Sequence, residues 1–270
     1  MGPINLTAVP KRLEDLTVRD IWDFIRIAET EIRTPDMYPP DEFEKINSFT
    51  HGFGNIFSRQ AYYRHAYCRP LLRAMQLIFS RWEKPRVVDI GCGTAGQAIL
   101  FASSGASVVG LDLDPAMLKT ARSRITNFEQ QNHELDIRLE SADVTKCDYA
   151  SYGQFDVAYS HGCIARYVNA SDIFMRLKPA LSTGGLIIMK NQNPDCWLLK
   201  KTQDTLDLST AGDFLEAAKR ENYRPLVVAG TTGIPRKLWF AGELTHLPDV
   251  LLRKFRSLQV HLELVFEKLD

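Results

Sequence analysis

Residues 87–96 read VVDIGCGTAG. Gly91, Gly93 and Gly96 fall at the spacing G-x-G-x-x-G, a pattern that lets a ligand approach backbone amides closely at the mouth of a helix. Such loops cradle the pyrophosphate of a dinucleotide, an anion held by amide donors and a helix N-terminus. Asp89 stands two residues before the first glycine, and a carboxylate there opposes a pyrophosphate. It suits a ligand that brings a positive group, which it can orient and charge-balance directly or through ordered water.

Two further carboxylates fit an adenosine-bearing ligand. Asp112 ends a second apolar run in VVGLDLDP, with Leu113 beside it. A carboxylate in that place accepts hydrogen bonds from both ribose hydroxyls. Asp143 follows a third run in SADV. It can accept from an adenine amino group while the Val144 amide donates to a ring nitrogen. Asp114, immediately before Pro115, reads instead as a helix cap.

Groups able to act on an acceptor follow a fourth run, in SHGCIARY at 160–167. His161 is the candidate base, because an imidazole titrates near neutral pH. Arg166 cannot act as a base, but its guanidinium can fork onto a carboxylate or phosphate. Upstream, FTHGFGNIFSRQAYYRHAYCRPLLR interleaves Phe49, Phe53, Phe57, Tyr62, Tyr63 and Tyr67 with Arg59, Arg64, Arg69 and Arg73. Between 58 and 86 there are six Arg and one Lys against one Glu. Aromatic faces there, Tyr63 among them, can enclose an apolar acceptor or sit against a cation. Arg166 and at least one of Arg59, Arg64 or Arg69 are expected to converge on an anionic part of the acceptor or on a carboxylate of the cofactor.

These residues need a frame that brings them together. From residue 86 apolar runs alternate with amphipathic stretches. Strands are predicted at 86–90, 107–111, 135–140, 155–160 and 186–190, and helices at 95–103, 115–130, 171–181 and 210–221. Regular alternation with short connections predicts a parallel sheet covered on both faces. Runs at 226–229 and 237–241 are separated by a turn too short for a crossover helix, which predicts an antiparallel hairpin. Before the sheet, Thr17 and Asp20 form a capping-box pattern ahead of helically spaced Val18, Ile21, Trp22, Ile25, Ala28 and Ile32. A second helix is predicted over 58–82. At the other end Leu251, Phe255, Leu258, Leu262, Val265 and Leu269 follow a four-three spacing. It predicts an amphipathic helix packed on its own domain or, as a second reading, against its copy in a homodimer.

Composition narrows the classes. The 270 residues carry 33 Lys and Arg against 33 Asp and Glu, so no global field steers the chain to nucleic acid or membrane. No apolar run approaches a membrane span and no signal-peptide pattern opens the chain. Five scattered cysteines without C-x-x-C, and six histidines without H-x-x-x-H, argue for reduced thiols, a cytoplasmic protein and no metal site.

The constellation resembles class I, Rossmann-like, S-adenosylmethionine-dependent methyltransferases. The matching blocks are VVDIGCGTAG, VVGLDLDPAMLKTA, SADV, FDVAYSHG and LKPALSTGGLIIMK, in order, over about 86–191, and the expected hairpin carries the match to about 242. The resemblance implies a seven-stranded, mostly parallel doubly wound α/β sheet with an antiparallel C-terminal hairpin, a helical N-terminal cap and a long C-terminal helix. It divides the chain into a cap that helps build the acceptor pocket at 1–84, a cofactor domain at 85–246 and the helix at 247–270. It places Asp89, Gly91, Gly93, Gly96, Asp112, Leu113, Asp143, Val144 and Ser160 around S-adenosylmethionine, and His161, Arg166 and Tyr63 around the transferring methyl group. In many small-molecule members a His stands near the place that Arg166 holds here. The acceptor expected is a small molecule with an apolar body and an anionic group. The alternative is a peptide or protein amine, since HGFGNI and LIIMKNQN loosely resemble protein N-terminal methyltransferases. An RNA methyltransferase, a non-catalytic binding module and a dehydrogenase fit less well.

Overall fold

The computed structural model describes residues 16–18, 20, 21, 68–130, 134–197, 208–231, 251, 252 and 255–270. Within them the order is α1 (Arg69–Arg81), β1 (Arg86–Ile90), α2 (Gly96–Ser103), β2 (Ser107–Asp112), α3 (Pro115–Glu129), β3 (Ile137–Ser141), β4 (Phe155–His161), α4 (Ile164–Tyr167) and α5 (Ala170–Leu177). Then follow β5 (Leu181–Gln192), α6 (Ala211–Arg220), β6 (Tyr223–Thr231) and β7 (His261–Lys268).

The seven strands form one sheet in the order β3-β2-β1-β4-β5-β7-β6. β1 to β5 pair in parallel, and β7 is antiparallel to both β5 and β6. The inner parallel strands β1, β2, β4 and β5 are buried on both faces, which is why their sequences are nearly continuous apolar runs, whereas the edge strand β3 is not. One face carries Val87, Val157, Tyr159, Leu186, Ile188 and Val265 against α1, α2 and α3. The other carries Val88, Ile90, Ala158, Ile187, Met189, Leu264 and Phe266 against α5 and α6. The order reverses at β1, whose neighbours are β2 and β4, so the loop after β1 opens at the crevice where such sheets bind ligands.

Local chemistry sets the helix ends. Asp114 caps α3, its Oδ1 accepting from the Ala116 amide at 2.8 Å, with Pro115 in the first turn. Thr210 and Asp213 form a reciprocal capping box on α6. Thr17 and Asp20 make the same exchange, Asp20 Oδ2 accepting from the Thr17 amide at 2.7 Å and Thr17 Oγ1 from the Asp20 amide at 3.3 Å.

Two expectations are corrected. The hairpin of 226–229 with 237–241 is not how β6 pairs with β7: β6 holds the first run, but its partner is His261–Lys268, and 237–241 lies outside the described residues. The amphipathic helix at 247–270 gives way to β7. Leu251 and Leu252 are helical, but from 255 on the chain makes a single 3-10 turn, Arg256–Leu258, and then a strand. The four-three spacing was a coincidence of alternation. Leu262, Leu264 and Phe266 point to one face of the sheet while Val265 joins the core of the other, and a strand between two others is buried on both sides. The helical seam on which the homodimer reading rested is thereby removed, and the sheet runs on to residue 268.

β7 is tied to α1 by charge. Arg73 makes a two-pronged contact with Glu263, and Arg81 donates to Glu267 at 2.7 Å, where Arg224 also donates. Arg73 and Arg81 lie eight residues apart, about 12 Å along a helix. Glu263 and Glu267 lie four apart, about 13 Å along a strand. The two repeats match, so both pairs can form at once with α1 running alongside β7.

The strand assignment has a direct test. Phe266 is fully buried and meets the Phe174 ring edge-on at 4.9 Å between centroids. Phe266→Ala is expected to lower stability by about 3–5 kcal/mol, read as a drop in urea midpoint; a change under about 0.5 kcal/mol would fit an exposed helical position instead.

Candidate functional site

The glycine loop is shaped by close approach as much as by turn geometry. Gly91 has φ +76°, and a Cβ there would stand 2.2 Å from Cys163 Sγ. Any side chain would therefore push the loop off β4's continuation. Gly93 differs: with φ +54°, a Cβ would meet nothing within 4 Å, so its missing side chain faces open space. A Cβ at Gly96 would make only an ordinary contact with Arg124, at 3.8 Å. The amides of Gly91 and Cys92 both donate to the Leu111 carbonyl, at 2.8 and 3.0 Å, which ties the loop to the end of β2.

The expected carboxylates gather here. Asp112 accepts from the Gly93 amide at 2.8 Å and from the Asp114 amide at 2.9 Å, one bond to each oxygen. It thereby organises the loop. Asp89 is 2 % exposed, and its Oδ2 has no hydrogen-bond partner. Burial, and then the neighbouring Asp112 charge, push its carboxyl up to about 7. Among the described residues neither aspartate has an ion-pair partner. Two carboxylates without a compensating cation fit a ligand that brings one and oppose a ligand bearing a pyrophosphate.

The remaining residues expected at the cofactor are placed as follows. Leu113 is 62 % exposed at the end of β2, an apolar surface where a flat ring could lie. Asp143 Oδ1 accepts from the Thr145 amide at 2.9 Å and the Thr145 hydroxyl at 2.6 Å, bonds that hold its carboxyl below the usual range. It therefore also serves as a turn residue, with Val144 buried beside it. Ser160 is committed internally: its hydroxyl donates to the Ile90 carbonyl at 2.9 Å and accepts from the Ile164 amide at 3.2 Å. It braces β4 to β1 and to the start of α4, one layer beneath the loop.

Arg124 was not anticipated. It is 2 % exposed on α3, and its Nη1 donates to the Thr94 carbonyl at 2.5 Å and the Thr94 hydroxyl at 2.9 Å. It pins the glycine loop from below. The signal was an arginine on the buried face of α3, between Ala121 and Phe128.

The acceptor-side candidates separate. His161 lies at the end of β4 on the Asp89 face, where burial, then Lys190 and His261, hold its imidazole well below the ordinary value. Arg166 is exposed on α4. Tyr63, Arg59 and Arg64 lie outside the described residues, as do Phe49, Phe53, Phe57, Tyr62 and Tyr67. Arg69 opens α1, while Arg73 and Arg81 are taken up by Glu263 and Glu267. A cavity of about 290 Å³ lies between α1 and the sheet, lined by Leu71, Leu77, Tyr159, His161, Lys190 and Glu263 among others. Among the described residues no group of three or more His, Cys, Asp or Glu could hold a metal ion, and no helix is long and apolar enough to cross a membrane.

Comparison with known proteins gives a consistent result. Residues 87–185 match the model of a family described as "Methyltransferase domain". A malonyl-[acyl-carrier protein] O-methyltransferase of Paenibacillus sp. (strain JDR-2) is 30 % identical, over 43 % of this chain and 41 % of that protein. A demethylmenaquinone methyltransferase of Tropheryma whipplei (strain Twist) is 26 % identical, over 49 % of each chain. The chain thus spans less than half the length of these curated relatives. A crystal structure of an S-adenosylmethionine dependent methyltransferase from Mesorhizobium loti superposes with TM-score 0.53 at 21 % identity, covering 74 % of this chain and 98 % of that one.

Asp89 makes the free protein's stability depend on pH in a defined direction. Its folded pKa, about 7, lies above the ordinary 3.8, so the unfolded chain releases the proton first. The cost of ionising it in the fold is absent below about 4, grows as pH rises, and is complete above about 7. Urea unfolding of Asp89→Asn is expected to show its stability rising relative to the unsubstituted protein across that window; a difference constant with pH would mean that Asp89 does not titrate there.

Proposed function

We propose that the chain carries a class I S-adenosylmethionine-dependent methyltransferase domain and that it methylates a small molecule with an apolar body and an anionic group. The observation that carries the cofactor part of the reading is the pair of carboxylates without an ion-pair partner among the described residues, Asp89 and Asp112, around the glycine loop. When bound, S-adenosylmethionine supplies a methyl group on a sulfonium already activated for displacement. Asp112 would hold the ribose hydroxyls, Asp143 and the Val144 amide the adenine edge, and Leu113 one face of the ring. Asp89, directly or through water, would balance the ligand's positive groups.

The chain's own task is then to align the acceptor, exclude water and hold protons where they are needed. His161 is neutral in the folded protein, so its imidazole can accept as well as donate a hydrogen bond. Its depressed basicity favours positioning an oxygen or nitrogen over strong proton abstraction. Tyr63 and the cap at 1–84 complete this reading as the outer wall of the acceptor pocket, and Arg166 as a cation at its rim. The sheet at 85–246, with β7 added to it, forms the cofactor domain.

Of the relatives named above, the demethylmenaquinone methyltransferase is named for a small-molecule acceptor, which supports the acceptor class, and the other is named for a malonyl group on an acyl-carrier protein. A peptide or protein amine is the second reading. It would be favoured by carboxylates left available at the acceptor end, but Glu263, which lines the cavity there, is already engaged by Arg73.

Calorimetry is expected to show micromolar-range binding of S-adenosylmethionine or S-adenosylhomocysteine and none of NAD. Asp112→Ala should weaken the binding by about 1.5–3 kcal/mol, the value of a charge-assisted hydrogen bond. Binding of NAD in place of S-adenosylmethionine would overturn the cofactor reading. Unchanged affinity in Asp112→Ala would reduce that residue to a loop support.

A further inference from the structure

Three amide side chains are buried where β5 ends and β7 begins, and the structure uses them unequally. Asn193 is wholly buried and engaged at both of its polar atoms. Its Nδ2 donates to the Arg256 carbonyl at 2.7 Å and to the Gln259 carbonyl at 2.8 Å, and its Oδ1 accepts from the Asp195 amide at 3.1 Å. It fastens the turn after β5 to the chain just before β7. Asn191, two residues earlier, is 5 % exposed, and neither its Nδ2 nor its Oδ1 has a hydrogen-bond partner among the described residues. Gln259 is wholly buried and in the same state. A buried amide left unbonded at both atoms destabilises the fold that holds it.

Position separates the two unbonded amides. Asn191 shares a face of β5 with Ile187 and Met189, since residues two apart on a strand point the same way. On the neighbouring strand the Gly162 amide donates to the Lys190 carbonyl at 2.8 Å. In a parallel pair that bond sets Gly162 beside Asn191. Gly162 has φ +71°, and a Cβ there would meet nothing within 4 Å, so open space adjoins the end of β4. The next residue, Cys163, is only partly buried and presses on Gly91 of the glycine loop. Gly162 and Cys163 thus connect Asn191 to the loop. Gln259 lies the other way. Its Cγ would stand 2.2 Å from a Cβ at Gly230, on β6, two strands beyond β5, so it is packed tightly against that edge of the sheet.

We propose that Asn191 is an acceptor-binding residue, its amide holding a neutral hydroxyl group at the methylated end of the acceptor. The proposal rests on the methyltransferase reading above and gives it an acceptor chemistry. An amide presents an accepting oxygen beside donor N–H groups, so it complements a group that both donates and accepts. A hydroxyl is the smallest such group. Its O–H donates to Oδ1, and Nδ2 donates to one of its lone pairs. The other lone pair stays free to bond the methyl carbon. As that bond forms, the carbon–sulfur electron pair goes to sulfur, and the hydroxyl proton leaves to water, because an amide does not take it. The anionic group of the acceptor stays with Arg166 at the rim.

Phenol and toluene share a ring and differ in the hydroxyl, so together they test this without any turnover. In the full chain saturated with S-adenosylhomocysteine, phenol is expected to move the side-chain NH2 resonances of Asn191, assigned by their loss in Asn191→Leu, and toluene to leave them in place. The ratio of phenol to toluene affinity should fall at least about tenfold in Asn191→Leu. The urea midpoint of that variant should not fall, since an apolar side chain of similar shape replaces an unbonded amide; an amide with a structural role would lose stability instead. Gln259→Met should leave the affinity ratio unchanged. The proposal is overturned if phenol does not move the Asn191 resonances, if the ratio survives Asn191→Leu or falls as far in Gln259→Met, or if Asn191→Leu lowers the urea midpoint. Failure of the unsubstituted protein to bind S-adenosylhomocysteine would instead strike the methyltransferase reading on which the proposal stands.

Discussion

Two carboxylates at the ends of adjacent parallel strands, Asp89 and Asp112, set the constraint around which the rest of the site is arranged. Either could be stable alone at a strand end. Together, with Asp89 buried and one of its oxygens unbonded, they repel each other and wait for positive charge. The glycine loop is held open over them by Gly91 against Cys163 and by Arg124 beneath Thr94. Its amides are spent on Leu111 and Asp112. A loop with several amides already engaged, beside two carboxylates without an ion-pair partner among the described residues, suits a cationic ligand better than a pyrophosphate. The same glycine spacing that serves dinucleotides is thereby turned to another ligand by charge alone.

Around this centre the sheet divides its faces by task. The face under α5 and α6 is apolar packing, with Phe174 at the centre of an aromatic cluster of Phe214, Tyr223 and Phe266. The face under α1 is graded, apolar near the middle of the strands and ionisable at their carboxyl ends. β7 makes the grading possible. As the strand that runs against its neighbours, it brings Glu263 and Glu267 to α1, where Arg73 and Arg81 meet them at matching spacing. That contact fixes the helix at one edge and leaves a cavity beside it.

Much of this was legible in the sequence, for reasons that also explain what was not. The alternation of runs from 86 onward gave the strands and helices to within a few residues, because parallel strands buried on both faces have few polar interruptions. The three aspartates were singled out by their positions at the ends of those runs, and their part in holding a ligand stays a proposal. β7 was misread because Leu262, Val265 and Leu269 satisfy a heptad while Leu262, Leu264 and Phe266 satisfy an alternation. Only the vacancy between β5 and β6 decides between them, and that is a tertiary fact. Arg124 and Asn191 escaped for a related reason. A polar side chain in a helix or strand looks like an exposed position until the neighbouring element covers it. The cap aromatics and Tyr63 fall outside the described residues, so their expected place around the acceptor stays a proposal.

The most direct test of the central claim is a carbon-13 NMR titration of the Asp89 carboxyl, assigned by comparison with Asp89→Asn. In the free protein it is expected to titrate near 7. With saturating S-adenosylmethionine the same resonance should titrate at least about two units lower, since an opposite charge favours the ionised form. An Asp89 whose titration is unmoved, or moved upward, by the bound ligand would contradict the claim that its buried charge is what the cofactor completes.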